Sequence, residues 1–346
     1  MADDRERWLA QRAEEPLQPE RPLVDAHHHL WDYPGNRYLR EELLADAAGH
    51  NLRQSVFVEC LSAYRGDGPQ ALRPVGETAF VECQAGAALR AGGPRVAAAI
   101  IGHADLCLGA EVAPVLAAHR HASPQRFRGI RHACSWHPSA SIRQGHSKPH
   151  PHLYLRDDFR AGFAALEAAG LLFESWGYHN QLWELASLAR AFPRTTIVLD
   201  HVGGPLGIGP YAGRRAQVFE HWQAGIRAVA ACANVVVKLG GLAMPVNGFG
   251  WHRQAAPPDS AQLQTAFAPY FHFCIEQFGP SAACSRATSR WIARPAPTRC
   301  CGTRSSVSPR ATPRRSRTRC CTTTRWRCTL WRRCRAPRGR GGPPAN

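Results

Sequence analysis

The segment LVDAHHHLWD, Leu23 to Asp32, sets His27 and His29 two residues apart behind Asp25. On a strand, residues i and i+2 share a face, so these two imidazoles point together while His28 points away. Two imidazoles at one strand end supply two corners of a tetrahedral or five-coordinate divalent-metal site, with a third ligand from elsewhere in the chain. An isolated HxH pair also fits two hydrogen-bonding core histidines. Asp25, the strand context and the later LDHVGGP segment, which carries His201, favour the functional reading. Together His27, His29 and His201 can hold a metal or polarise a carbonyl directly, and Arg131 can clamp a carboxylate through paired N–H bonds. That is the chemistry of hydrolysis at an activated carbonyl, and what the set lacks is an evident base. Each of the other candidates has two readings. Arg131 also fits a barrel salt bridge, Glu59 a supporting carboxylate, and Lys238 an electrostatic or structural role; His103, His132 and Glu174 are expected to support the site or lie at the surface.

These residues recur at the ends of β-rich runs. Strands are predicted at 22–29, 54–60, 95–101, 127–133, 171–176, 195–201 and 234–241, alternating with helical segments as in βα units around a parallel sheet. Asp158 is placed to cap the helix FRAGFAALEAAG, in which Phe159, Phe163 and Leu166 recur at helical spacing before Gly170. NQLWELASLARAF, RRAQVFEHWQAGIRAVAAC and AQLQTAFAPYFHFCIEQFG read as further helices. Polar residues clustered at the C-terminal ends of successive strands point to a (β/α)₈ barrel, whose active sites are built on that face. No Gly-rich phosphate loop follows any strand, which argues against a doubly wound sheet. Seven strands are legible and an eighth is missing. VNGFGWH, residues 246–252, reads as a loop over the barrel mouth, with Trp251 as a packing residue.

VDAHHHLWD, GIRHA, YHNQLWELASLARAFPRTTIVLDHVGGP and NVVVKLGGLAMPVNGFGW together resemble the amidohydrolase-2 family, in the branch of TIM-barrel metal-dependent hydrolases that includes sugar lactonases and pyrone-dicarboxylate lactonase. The likeness covers roughly residues 22–280. It implies a site with His27 and His29 at the first-strand HxH, His201 at the strand entering DHVGGP, Arg131 in GIR, His179 in YHNQL and Lys238 in VVVKLGG. Catalytic roles then fall to His27, His29, His201 and Glu59, and substrate binding to Arg131, His179 and Lys238. Members of the branch differ in metal dependence, so a divalent metal (Zn²⁺ or Mn²⁺) held by His27, His29 and His201 and metal-free catalysis both stay open. The implied reaction is attack of water on a lactone or related cyclic ester. Metal-dependent decarboxylation is the alternative within the family, and an inactive truncated barrel is a third reading.

The net charge of +17 is confined to one end. Residues 1–281 hold 26 Lys plus Arg and all 26 Asp plus Glu, whereas residues 282–346 hold 17 Arg, no Lys and no acid. Seven of the 13 cysteines also fall in that last part. Relatives carry an eighth strand resembling RCMFESNFPVDR, where this chain reads AACSRATSRWIAR at 282–294. Reading the codons one base earlier from the third base of Ser281 converts one into the other with permitted third bases, and Trp291 with Ile292 forces the aspartate. With permitted third bases the same shift can turn TRCCGTRS into YTVLWNAF. A frameshift near Pro280 to Ala282 therefore explains the Arg- and Cys-rich end better than a nucleic-acid-binding tail does. The shifted reading leaves Asn or Asp open at the eighth-strand position, because the third base of Ala287 is free.

Three parts are expected: an N-terminal extension over 1–21, a barrel over 22–281, and a frameshifted, unstructured tail over 282–346. The chain's first residues, MADDRERWLAQRAEEP, are acidic and polar, no run of 18 apolar residues occurs, and the first six cysteines are spread singly, so a cytoplasmic protein is expected. Its expected partner is a small-molecule substrate, with neither nucleic acid nor membrane; the sequence is compatible with a homo-oligomer.

Overall fold

In the computed structural model, which describes residues 7–285, a parallel sheet curls toward a barrel with its strands in sequence order. The strands are β1 (Pro22–His28), β2 (Asn51–Val58), β3 (Arg95–Gly102), β4 (Phe127–Arg131), β5 (Leu172–Ser175), β6 (Ile197–Leu199), β7 (Val235–Leu239) and β8 (Ala283–Ser285). The first seven coincide with the runs predicted above. β8 goes beyond that prediction: three residues pair parallel with Val237–Leu239, so the sheet continues past residue 281. Among the described residues no hydrogen-bonded ladder joins β8 to β1, and the architecture is an incomplete (β/α)₈ barrel. Residues 286–346, which hold most of the expected frameshifted tail, lie outside the described residues.

Helices α1 (Arg40–Asp46), α2 (Val75–Arg90), α3 (Ala113–Ala122), α4 (Asp157–Ala168), α5 (Leu182–Ala191), α6 (Arg215–Ala230) and α7 (Ser260–Phe278) accompany the strands. In α4, Phe159, Phe163 and Leu166 are buried as their spacing requires, and Gly170 at φ +64° ends the segment. Asp158 is not the cap, however. Arg156 holds that position, and Asp158 sits in the first turn, where its Oδ1 accepts from Phe159 N at 2.7 Å and its charge suits the positive helix end. The best-formed cap belongs to α7: Asp259 Oδ1 accepts from Gln262 N at 2.8 Å, while Gln262 Oε1 accepts from Asp259 N at 2.9 Å.

Two apolar layers set the height of the polar mouth. Outside the sheet, Phe159, Phe163, Phe173 and Trp222 pack between strands and helices. Inside it, Val58, Ile101, Leu172 and Val198 form a plug with Val56 and Val236. Because side chains alternate along a strand, inward positions nearer the C-terminal ends fall above this plug and are free to be polar.

A candidate active site at the barrel mouth

The end of β1 delivers His29 in a fixed tautomer. Asp25 Oδ1 accepts from His27 N at 3.1 Å and braces the strand end. His29 Nδ1 lies 2.6 Å from the Val58 carbonyl, so that nitrogen carries the proton and Nε2 presents a lone pair. This lone pair faces His27 Nε2 at 3.3 Å. His28 points away, as alternation requires, and meets Ser55 Oγ at 3.0 Å.

The third histidine comes from a backbone turn of unusual handedness. After β6, His201 (φ +54°) and Val202 (φ +49°) are followed by Gly203 and Gly204 at positive φ. Left-handed backbone at a β-branched residue costs on the order of 1–3 kcal/mol, which the surroundings must offset. Trp222 Nε1 donates to Val202 O at 2.6 Å and anchors the turn. Opposite it, a Cβ on Gly241 would come within 2.4 Å of the His201 ring, so the absence of a side chain at Gly241 is what admits the imidazole. The His201 ring centroid thereby lies 4.7 Å from that of His27 and 4.8 Å from that of Trp176. Donor atoms of His27, Asp200 and His201 all lie within 4.8 Å of one another.

Beneath these imidazoles lies a lattice of buried charge. Arg131 Nε donates to Glu59 Oε1 at 2.7 Å, Nη2 to the Glu59 carbonyl at 2.6 Å, and Nη1 to Asp200 Oδ2 at 3.3 Å. Lys238 Nζ lies 2.6 Å from Glu174 Oε1, 3.4 Å from Asp200 Oδ1 and 3.3 Å from His27 Nδ1. Burial alone would raise the Glu59 carboxyl, but Arg131, and His146 at 2.8 Å from Oε2, hold it far below the usual carboxylate range. Glu174 behaves differently. Burial raises it to about 7 against the pull of Lys238, and the neighbouring Asp200 charge adds to the rise.

A cavity of about 1230 Å³ opens above, lined by His29, Arg131, His146, Trp176 and His201 among others. His27, Glu59 and Lys238 do not line it: all three are buried in the floor. His179 does not line it either. It is fully buried, its Nδ1 accepts from Leu206 N at 3.3 Å, and burial with neighbouring imidazoles lowers it to about 3. Glu174 is buried in the lattice and is no surface group, while His103 and His132 pack beside Arg131's carbonyl and the Leu106 amide. In the 246–252 loop, Trp251 stacks on Phe249 at 4.5 Å, the packing role expected. Sequence reasoning passed over Asp200 and His146. Asp200 had a signal, an acid immediately before His201 at a strand end. His146 had none, since it lies in an irregular segment and meets Glu59 only through the fold.

A parallel barrel with histidines, a carboxylate and paired cations converging at its C-terminal mouth is the arrangement of an enzyme active site. The chain belongs to the Amidohydro_2 amidohydrolase family, whose profile matches residues 24–281. It is 27% identical over 267 residues to L-fucono-1,5-lactonase of Burkholderia multivorans, covering 74% of this chain and 78% of that protein. It is 28% identical over 267 residues to protein y4mH of Sinorhizobium fredii, covering 71% and 80%. Among solved structures, an amidohydrolase from Burkholderia multivorans crystallised with bound zinc superposes with a TM-score of 0.61 at 23% identity, covering 90% of this chain and 98% of that one.

Proposed function

We propose that the protein opens a lactone or related cyclic carboxylic ester by attack of water on the carbonyl. The observation that carries this reading is the convergence of His29 and His201 in the wall of one cavity with His27 and Asp200 buried directly against them. The likeness to a sugar lactonase supports the same reaction class. His201, in the cavity wall beside Trp176, donates to the oxyanion that forms on the carbonyl oxygen. Arg131 and Lys238 keep Asp200 oriented toward His27. The ring C–O bond breaks, its oxygen takes a proton, and the product is a hydroxy acid.

The donor set fits a divalent metal such as Zn²⁺ or Mn²⁺. Two ligands on a tetrahedral zinc at about 2.0–2.1 Å stand roughly 3.3–3.4 Å apart, and the His27 and His29 Nε2 atoms are 3.3 Å apart with a lone pair of His29 facing inward. Asp200 and His201 extend the set. A metal held there supplies Lewis-acid charge to the carbonyl. The metal-free alternative also has an observation behind it, because Arg131 Nη1 lies 3.4 Å from the same His27 Nε2. Metal analysis separates the two. On the metal reading, purified protein retains about one equivalent and His27→Ala releases it, with turnover falling by orders of magnitude; full activity after exhaustive chelation leaves the histidines as direct donors.

Ring opening is assayed by acid release on a lactone panel, and CO₂ release from aromatic acids in place of it would assign the decarboxylase reading. On the frameshift reading the chain lacks the eighth-strand Asn or Asp that the family resemblance places beside the attacking water, so the 346-residue chain is expected to turn over negligibly and a one-base restoration near codons 280–282 to recover it. Robust turnover without restoration would show that residue to be dispensable. The six cysteines among the described residues are free thiols, which supports a cytoplasmic setting. No helix among the described residues is long and apolar enough to cross a membrane.

A further inference from the structure

We infer that the molecule recognised in this cavity is anionic: it carries a carboxylate away from the reacting carbonyl, and Arg143 with Arg253 holds that carboxylate. The inference rests on the proposed reaction only in sharing its cavity.

Arg131 already has its charge matched by the floor. Its Nε, Nη1 and Nη2 are committed to Glu59 and Asp200, two carboxylates that are fully buried. A substrate carboxylate competing for those donors would leave one of the buried acids without its counter-charge, a loss of several kcal/mol. The cavity wall nevertheless has a one-signed character. Among the described residues its lining includes three arginines and four histidines, and no aspartate or glutamate. Arg143 and Arg253 are the two guanidinium groups in it that have no carboxylate partner among the described residues; Arg253 Nε meets only His252 Nε2, at 3.3 Å.

Both arginines sit on pinned backbone. Tyr178, buried beneath the rim, donates its hydroxyl to the Arg143 carbonyl, and Gly145 N donates to Ser135 O at 2.7 Å. Arg253 closes the turn Trp251–Arg253, where Arg253 N donates to Gly250 O at 2.9 Å and Trp251 is anchored on Phe249. The next residue, Gln254, accepts from Trp8 Nε1 at 2.8 Å through its carbonyl. Rigid attachment reduces the ordering cost of gripping a ligand, and a planar guanidinium fork matches a carboxylate in two-point geometry. Small-ligand pockets usually enclose about 300–1,000 Å³, and this one, at about 1230 Å³, has room for a reacting ring and an appended charged group. A neutral ring would use neither arginine.

The test is calorimetric titration of the full 346-residue chain with glutarate and with its uncharged isostere glutaramide, so no turnover is required. Glutarate is expected to bind at least tenfold more tightly than glutaramide, and the double variant Arg143→Gln/Arg253→Gln to lose at least tenfold in glutarate affinity while its melting temperature stays unchanged. No glutarate binding, equal binding of the two probes, or a double variant with unaltered affinity overturns the inference; the last places the anion elsewhere on this arginine-rich chain. The hydrolase reading stands or falls separately. A chain that binds glutarate through these arginines and opens no lactone loses the reaction and keeps the anionic ligand, whereas one that opens neutral lactones without glutarate affinity does the reverse.

Discussion

The floor of the cavity and its rim both carry arginine, in opposite circumstances. On the floor, Arg131 is buried with Glu59 and Asp200, and Lys238 with Glu174, so every cation has a carboxylate within 2.7 Å. At the rim, Arg143 and Arg253 have no carboxylate partner among the described residues. A charge removed from water must be matched by a neighbour or neutralised, whereas one left at the surface is stabilised by solvent and remains available. The floor charges therefore hold geometry and the rim charges meet ligand. Glu77 shows what happens to a buried acid that has no cation partner among the described residues. Burial, and the negative charge of nearby Glu59, raise it to about 8, although Cys60 N and Ser62 N donate to its Oε1 at 3.0 and 2.7 Å.

Five substitutions probe this division, in descending order of expected effect. Arg131→Ala strands Glu59 and Asp200 without their guanidinium and should cost about 3–5 kcal/mol, read as a lower denaturant midpoint or loss of the folded protein. A fully stable variant would mean that the lattice does not hold the barrel mouth together. Gly241→Ala comes next, because its Cβ would occupy His201 space and its φ is +74°. About 1–3 kcal/mol is expected, together with loss of ligand-induced changes in Trp176 fluorescence as His201 is displaced; a neutral outcome would show that the turn after β6 has slack.

Glu77→Gln should act in the other direction and only at higher pH. An acid whose native pKa exceeds its unfolded value takes up protons on folding, so its favourable contribution is complete below the unfolded pKa and is lost as pH rises. For Glu77 the window runs from 4.5 to about 8. Gln keeps the Oε1 acceptor and carries no charge, so the variant should gain on the order of 1–2 kcal/mol relative to wild type at pH 8 and little at pH 4.5. Equal effects at both pH values would remove the ionisation from the explanation. Smallest of all, Arg143→Gln and Arg253→Gln taken singly should change stability by less than about 0.5 kcal/mol. A larger loss at either position would move that arginine from rim to floor.

Much of the barrel is written in local pattern. The apolar stretches at 235–237 (VVV) and 96–101 (VAAAII) are continuous because helices cover one face and the plug the other, and such runs are recognisable without any tertiary information. The cap of α4 was harder to read, since Asp157 and Asp158 are both suited to the first turn and only backbone geometry gives the cap to Arg156. β8 was hidden for another reason. Ala283 to Ser285 has no strand pattern of its own and is recruited by pairing with Val237–Leu239. In the site, the i, i+2 spacing of His27 and His29 and the strand-end position of His201 marked them directly, while Glu59 and Arg131 were visible as candidates whose commitment to each other was not.

By itself, then, the sequence determined the periodicity that makes the sheet and its helices, the strand ends that carry histidine, and the segregation of all excess charge to one end. These follow from nearest neighbours along the chain, where alternation and composition act over a few residues. Only the tertiary structure decided which charges are matched and which are available. Glu59 and Arg131 are 72 residues apart, and His27 and Lys238 are 211. Whether such a pair shares a buried lattice or faces a ligand depends on the solvent each loses when the barrel forms, and burial is a property of the packed molecule that no single segment carries.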